Sequence, residues 1–288
     1  HLVLEPKIIA ADGLTIFGRF DLLNDSTFGT NQQIGQKFGT GVRTGARTAS
    51  SNSADSNVLS NTQRSGGLAV SQLYAKWSQE FGSLVVGRMP RQFGLGLTHQ
   101  AGNGSFDHYL DTQDAIAYKF SFGNNTVMPM IGKVEEGALG DEDDVDAYTL
   151  LYQYENPETD LGMGVYFEIT KATQVANDAP VGGDRFGGTG ASLSDAFTRQ
   201  FVGLFATQKL SFLKVAVEAD LVSGKTGVKT AAGSEVNMAG YGFAAEISPF
   251  SASGKWNWML KLGAASGDNP GTTDIDEGFA FNKNYDVA

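Results

Sequence analysis

Three groups of side chains in this sequence have the types and spacing to do chemistry. The densest is Glu135-Glu-Gly-Ala-Leu-Gly-Asp-Glu-Asp-Asp-Val-Asp146, which packs seven carboxylates into twelve residues. Carboxylate oxygens are the hard ligands that Ca2+ and Mg2+ take, and Asp141, Glu142, Asp143, Asp144 and Asp146 form the candidate divalent-cation set. The central glycine and closing Glu of a helix–loop–helix calcium loop are misplaced here. The expectation is therefore a loosely held ion on an acidic outer loop, and no other cofactor is implied. The same run also reads as a solvated acidic face that bridges to lipopolysaccharide through divalent ions. Asp268, Asp274, Asp276 and Glu277 form a second, smaller acidic group.

The second group is histidine-centred. His1, His99 and His108 are the only general bases of that type. His108 lies in Asp107-His-Tyr-Leu-Asp111-Thr-Gln-Asp114, where Asp111 is near enough in sequence to orient it. Ser105 falls on the same loop rather than across from it. The pattern reads as a hydrogen-bonded loop histidine, and the chain is expected not to be an enzyme. Gly102-Asn-Gly104 and the Gly182–Gly188 run have no strand–loop–helix setting and are loop glycines, not phosphate cradles.

The third group is a set of charges spread over many short segments and placed on one face of each. These segments alternate apolar and polar residues, the period-2 signature of a strand with two unlike faces. Leu161, Met163, Val165, Phe167 and Ile169 point one way, and Gly162, Gly164, Tyr166 and Glu168 the other. Leu213 to Val222, Trp256 to Ala264 and Leu14 to Leu22 repeat the pattern. Less regular versions cover 2–9, 68–81, 84–94, 113–122, 126–135, 145–154, 197–210 and 235–248, for twelve strands in all. No segment reads as a long amphipathic helix.

Composition sets the class. The chain has 288 residues, no cysteine, 37 glycines and 7 prolines, so disulfide, thiolate-zinc and cysteine-nucleophile chemistry are excluded. A net charge of −11 argues against nucleic acid as a partner. No run of 18 apolar residues exists, which excludes helical membrane spans, while 19 Phe exclude a disordered chain. The remaining choices are a water-soluble all-β fold and an outer-membrane barrel. The connections decide between them, because short and long links alternate along the chain. Short ones are Ala10–Gly13, Gly82–Ser83, Gly123–Asn125, Asn156–Asp160, Ser211–Phe212 and Pro249–Lys255; long ones are 24–67, 95–112, 136–144, 172–196, 223–234 and 265 onward. Tight periplasmic turns alternating with extended outer loops describe an up-and-down barrel, whereas Greek-key crossovers give no such alternation.

The expected architecture is an all-β, up-and-down antiparallel transmembrane β-barrel in the bacterial outer membrane, one domain over 1–288 with 24–67 as its long outer loop. It has at least twelve strands here. Asn284-Tyr-Asp-Val-Ala288 looks like the opening of another strand, so the parent barrel is expected to have more. Aromatic residues near the short turns (Trp77 and Phe81, Phe120 and Phe122, Tyr152 and Tyr154, Trp256 and Trp258) suit an interfacial girdle against lipid. With the polar face turned inward, the lumen charges are Arg19, Lys76, Arg88, Lys119, Lys133, Lys214 and Lys261 against Asp21, Glu80, Glu135, Glu168, Glu218, Asp220 and Glu246. The balance admits two readings: opposite charges across a water-filled eyelet, or a paired network that plugs a narrow interior. Loop 24–67 could fold inward as a constriction, with Arg43 and Arg47 facing acidic wall residues, or lie on the surface.

Gly87-Arg-Met-Pro-Arg-Gln-Phe-Gly-Leu-Gly96 resembles a segment of porin-like outer-membrane barrels from predatory and related Gram-negative bacteria, and Gly18-Arg-Phe-Asp-Leu22 fits the same family. Asp276-Glu-Gly-Phe-Ala-Phe-Asn-Lys-Asn-Tyr-Asp-Val287 is similar to the penultimate region of alginate-export-like barrels. The resemblance covers about a third of the chain. It implies a monomeric or loosely associated porin-type channel for small polar solutes or ions. No family site residues carry over, because the alginate-type path is arginine-rich and this one is not. The alternative is a structural barrel with a narrow or plugged lumen that binds an unidentified protein partner.

Overall fold

The computed structural model describes residues 2–22, 68–104, 110–135, 145–172, 192–193, 197–230, 234–249, 258–269, 271–282 and 284–285. Contacts divide the chain into two compact units, 1–77 with 87–89 and 78–86 with 90–288. Both are built from antiparallel strands, and no helix among the described residues is long and apolar enough to cross a membrane.

In the first unit, β1 (Leu2–Leu4) and β2 (Lys7–Ala11) both pair antiparallel with β3 (Leu14–Leu22), which pairs in turn with β4 (Leu68–Gln79). The β2–β3 reversal is made at Asp12-Gly13, where Gly13 takes a left-handed φ of 76° that a glycine adopts without a Cβ clash. A register shift between Arg19 and Phe20 marks a bulge at Ser71 of β4, opposite that step.

The second unit contains β6 (Thr112–Phe122), β7 (Asn125–Glu135), β8 (Val145–Asn156), β9 (Leu161–Ala172), β11 (Phe197–Leu210), β12 (Leu213–Lys229), β13 (Glu235–Pro249) and β14 (Leu260–Ala265), each paired antiparallel with the one before it. The remaining strands are β5 (Gly82–Pro90), the two-residue β10 (Ser192–Leu193) beside β12, and β15 (Ile275–Asp276), which runs parallel to β13. This is an all-β, up-and-down antiparallel architecture, and each of the twelve strands expected from periodicity has a counterpart. Several strands, at 12 to 17 residues, exceed the ~9–11 residues that a tilted strand needs to cross a bilayer.

Exposure is inverted relative to a water-soluble protein. Alternation along β9 leaves Met163, Val165 and Phe167 exposed and buries Tyr166, Glu168 and Thr170. Ile116, Ile131, Leu150, Leu204, Leu221 and Phe243 are likewise exposed, whereas Gln113, Glu218 and Asp220 are buried. In the first unit Leu73 and Trp77 are exposed while Arg19, Asp21 and Gln72 are buried. Soluble domains bury Leu, Ile and Phe and almost never bury Glu or Asp. An apolar outer face over a polar inner one is the signature of a wall set in lipid. Exposed Phe81, Phe120, Phe122 and Phe212 stand at or beside the short turns, where an interfacial aromatic belt belongs.

Candidate functional site

The inner face of the second unit is organised by a segment that periodicity assigned to the wall. Strand β5 ends at Pro90, so residues 91–94 are not its continuation, and the expected strand over 84–94 is corrected. Pro90 carries no amide hydrogen for a ladder. From Arg91 the chain instead runs against the inner face. Phe93 N donates to His99 O at 3.1 Å and Gly96 N to Phe93 O at 2.9 Å, closing a tight hairpin-like turn. Gly94 sits at a φ of 48°, and a Cβ there would come within 2.5 Å of Glu218 Oε2. Backbone at this point approaches a carboxylate as only glycine permits.

Two sets of wall residues hold this segment. On β12, Glu218 Oε2 accepts from Gly96 N at 3.1 Å and from Leu95 N, and Asp220 Oδ2 accepts from Thr98 Oγ1. Both carboxylates are fully buried. On β8, β9 and β11 a network converges on Glu168, which accepts from Arg91, from Arg199 NH2 at 2.8 Å, from Tyr166 OH at 2.8 Å, from Thr170 Oγ1 at 3.1 Å and from Thr149 Oγ1 at 3.3 Å. Arg91 NH2 also donates to Tyr166 OH and to His99 Nε2, each at 2.9 Å. A guanidinium only donates, so Nε2 is the acceptor and the ring proton is on Nδ1. Burial first, and then the Arg91 cation, hold His99 well below the usual histidine range, so it is neutral.

Packing completes the anchor. The Phe93 ring lies 5.4 Å from Tyr166 and 6.5 Å, edge-on, from Phe205; His99 lies 4.9 Å from Tyr166 and 5.1 Å from Phe201. A second inward stretch locks onto the first: Asn282 N donates to Leu97 O at 2.6 Å, Asn282 Nδ2 donates to Asp111 Oδ2 at 2.7 Å, and Tyr285 packs with Leu97 and Ala244. Burial raises the pKa of Asp111, which accepts the Gln100 amide at 2.8 Å.

The fourteen residues expected on the inner face divide as follows. Glu168, Glu218 and Asp220 are buried there and form the anchors just described. Glu246 and Lys261 pair across β13 and β14 at 3.1 Å, with Lys261 Nζ 4.8 Å from the centre of the Tyr285 ring. Lys119 shares the face of Ala115 and Ala117, and Lys214, at the strand end, that of Ala216 and Glu218. In the first unit Arg19 and Asp21 are buried with Arg19 Nε 3.5 Å from Asp21 Oδ1; Ser71 Oγ donates to Asp21, and Lys76 shares the face of Gln72 and Tyr74.

Three expected lumen positions are corrected. Glu80 lies in the Glu80–Phe81 turn, because β4 stops at Gln79 rather than running through residue 81. Arg88 is exposed while its neighbour Met89 is buried, so β5 turns Met89 and not Arg88 inward. Lys133 shares the outer face with Ile131; Met128 and Met130 face in while Val127 and Ile131 face out, so apolarity could not choose between the faces of β7. The Glu135 side chain lies outside the described residues. So do Asp141, Glu142, Asp143 and Asp144, and likewise loop 24–67 and His108. Asp146 is a β8 residue paired in register with Lys133. No group of three or more Asp, Glu or His suited to a metal ion occurs among the described residues.

Below Phe93, toward the short turns, the wall leaves a cavity of about 580 Å3. Its lining includes Ser121, Thr126, Gln153, Gly162, Phe205 and Thr207. Arg91 and Phe93 escaped sequence reasoning, and His99 had no partner assigned to it there, because alternating Phe93, Leu95 and Leu97 mimic a strand; Arg199 on β11 was also missed. Pro90 followed by Gly94 and Gly96 was the available signal that the wall had ended.

No family model and no curated protein matches the chain. Solved structures of similar shape include outer-membrane-expressed OmpT of Vibrio cholerae, at 12% identity and a TM-score of 0.42 over 95% of this chain and 82% of that one. The in-vitro folded trimer form of OmpT gives 12% and 0.41 over 98% and 86%, and its loop L8 deletion mutant 12% and 0.40 over 91% and 83%. Likeness at this level carries nothing about activity in either direction. The expectation that the chain is not an enzyme is corrected and not carried further: the described inner face sets a neutral histidine, His99, against Arg91 and Tyr166. What the lipid-facing apolar surface and the buried inner charges establish is the setting, an outer-membrane β-barrel wall.

Proposed function

We propose that this chain forms a porin-type channel wall through which small polar solutes diffuse past a built-in constriction. The observation that carries the reading is the segment from Arg91 to Ala101, folded onto the inner face and tied at both sides to wall charges. Arg91 and Arg199 stand on Glu168 at one side, and at the other Glu218 holds the backbone and Asp220 the Thr98 hydroxyl. Glu168 is thus paired with both guanidiniums, whereas Glu218 and Asp220 on β12 have no ion pair among the described residues. A face that is only partly paired supports the eyelet reading of the balanced charges over a fully paired plug, because its remaining field acts on solutes that pass.

Planar-bilayer recording on the full-length protein tests this. Stable ohmic steps are expected, with larger steps in Phe93→Ala, which takes the bulkiest ring out of the constriction. Silence in both the parent and the Phe93→Ala protein, with strand content intact by circular dichroism, would overturn it. The plugged, partner-binding alternative draws on the Asn282–Leu97 and Tyr285–Leu97 contacts, which reinforce the segment from a second side. It takes over in that silent case.

A further inference from the structure

The turn-side cavity has a composition unlike the rest of the inner face. Register places Ser121, Thr126, Gln153, Gly164 and Phe205 in one row across β6, β7, β8, β9 and β11. The next row toward the turns sets Gly162 between Glu155 and Thr207. Each row therefore has a glycine on β9 flanked by longer side chains, giving a trough with an amide and hydroxyls on one side and an aromatic ring on the other. Phe93 roofs it: a Cβ on Gly164 would lie 3.1 Å from the Phe93 ring. Lys, Arg and His are absent from the described lining, and its only carboxylates are Glu155 and Asp160, the latter bound to Lys209 at 3.2 Å.

A cavity of about 580 Å3 falls within the ~300–1,000 Å3 of small-molecule sites. Hydroxyl and amide groups hydrogen-bond to hydroxyl-bearing solutes, and the face of Phe205 offers an apolar plane for the C–H face of a ring. An anion would meet two carboxylates and no described cation beyond the one already paired. We infer that this trough is a binding subsite for a neutral, polyhydroxylated solute of mono- to disaccharide size. The inference rests on the channel reading for its route of access but not for binding itself.

The test uses maltose, with gluconate as the anionic and glucosamine as the cationic control. Added on the turn side in a planar bilayer, maltose is expected to lower conductance in a saturable way while gluconate leaves it unchanged and glucosamine acts no better than maltose. Gln153→Ala and Phe205→Leu are each expected to weaken the maltose effect roughly tenfold, the loss of about one good contact. Circular dichroism confirms that the variants fold. Equal block by gluconate, stronger block by glucosamine, or conducting channels indifferent to maltose would overturn the subsite while leaving the channel standing. Calorimetry of maltose on the detergent-solubilised protein separates the two ideas: binding that Gln153→Ala weakens, in a protein that never conducts, keeps the subsite and sinks the channel.

Discussion

Two stretches of the inner face of β9 do opposite things. Gly162 and Gly164 leave space, and the turn-side cavity opens over them. Tyr166, Glu168 and Thr170 fill space and hold charge, and the inward segment is fastened there. The switch takes a single step of the period-2 face, about 7 Å along the strand. An identical backbone ladder thus supports a void and an anchor side by side, and side-chain volume and charge alone decide which. The comparison can be broken from either end, and the anchor should show the larger effects.

Glu168→Gln is the most severe change. It removes the carboxylate on which two guanidiniums rest, leaving Arg91, buried to 9% exposure, without its counter-charge. Breaking one partner of a buried pair costs about 3–5 kcal/mol. The cost should fall on the inward segment rather than the strands, whose ladders are untouched. Hydrogen exchange at the Phe93 and Gly96 amides is expected to accelerate by orders of magnitude while the β9 amides keep their protection. Uniform loss along β9 would show that Glu168 supports the wall and not the segment.

Gly94→Val attacks the other tether. A left-handed φ of 48° penalises a β-branched residue, and the new Cβ would strike Glu218 Oε2 at 2.5 Å. A cost of about 1–3 kcal/mol is expected, seen as faster exchange at Leu95 and Gly96 with Arg91 still protected. Simultaneous release of Arg91 would mean that the two tethers act as one.

The wall was legible in the sequence because lipid forces a strict two-face alternation over many strands, and because turn and loop lengths carry the topology. The anchor was legible only in halves. Glu168, Glu218 and Asp220 stood out as charges on an inward face, but their partners lie 77, 122 and 122 residues away in the chain, a separation that no local period reports. Two wall glycines show the same limit. Gly203 and Gly242 do leave room, but rings fill it: a Cβ would come within 2.6 Å of Phe93 at the first and 2.3 Å of Phe279 at the second. Alternation likewise failed at Lys133 and Arg88, where neighbouring residues are apolar on both faces or the strand is about to leave the sheet.

Acidification provides a gentler test of the anchor. His99 is buried neutral, with its pKa held below the ordinary 6.5 by burial and by Arg91. Its native form therefore binds fewer protons than the released segment does. The contribution of His99 to stability is present above about pH 6.5 and diminishes as pH falls below that value. Protection of the segment amides should decline between pH 7.5 and 5.5 in the parent protein and decline less in His99→Gln, which keeps an acceptor for Arg91. An identical decline in both would assign the pH dependence to groups other than His99, and not to Asp111, whose raised pKa works in the opposite direction.

The smallest effect belongs at the cavity rim, and it limits how far the charges there matter. Lys209 and Asp160 approach to 3.2 Å, but their side chains are 29% and 53% exposed. Exposed pairs contribute about 0.2–1 kcal/mol, and solvent screening places this one at the low end. Asp160 also holds a left-handed φ of 51° in the β8–β9 turn, so Asp160→Asn is the informative change: Asn tolerates that conformation and removes only the charge. Thermal or denaturant stability should move by less than about 0.5 kcal/mol, within what surface substitutions do. Maltose block should be unchanged, because the hydroxyl and amide rows lie deeper than the rim. A marked loss of block in Asp160→Asn would move the selectivity from the trough to its carboxylate rim and turn the preferred solute from a neutral one to a cationic one.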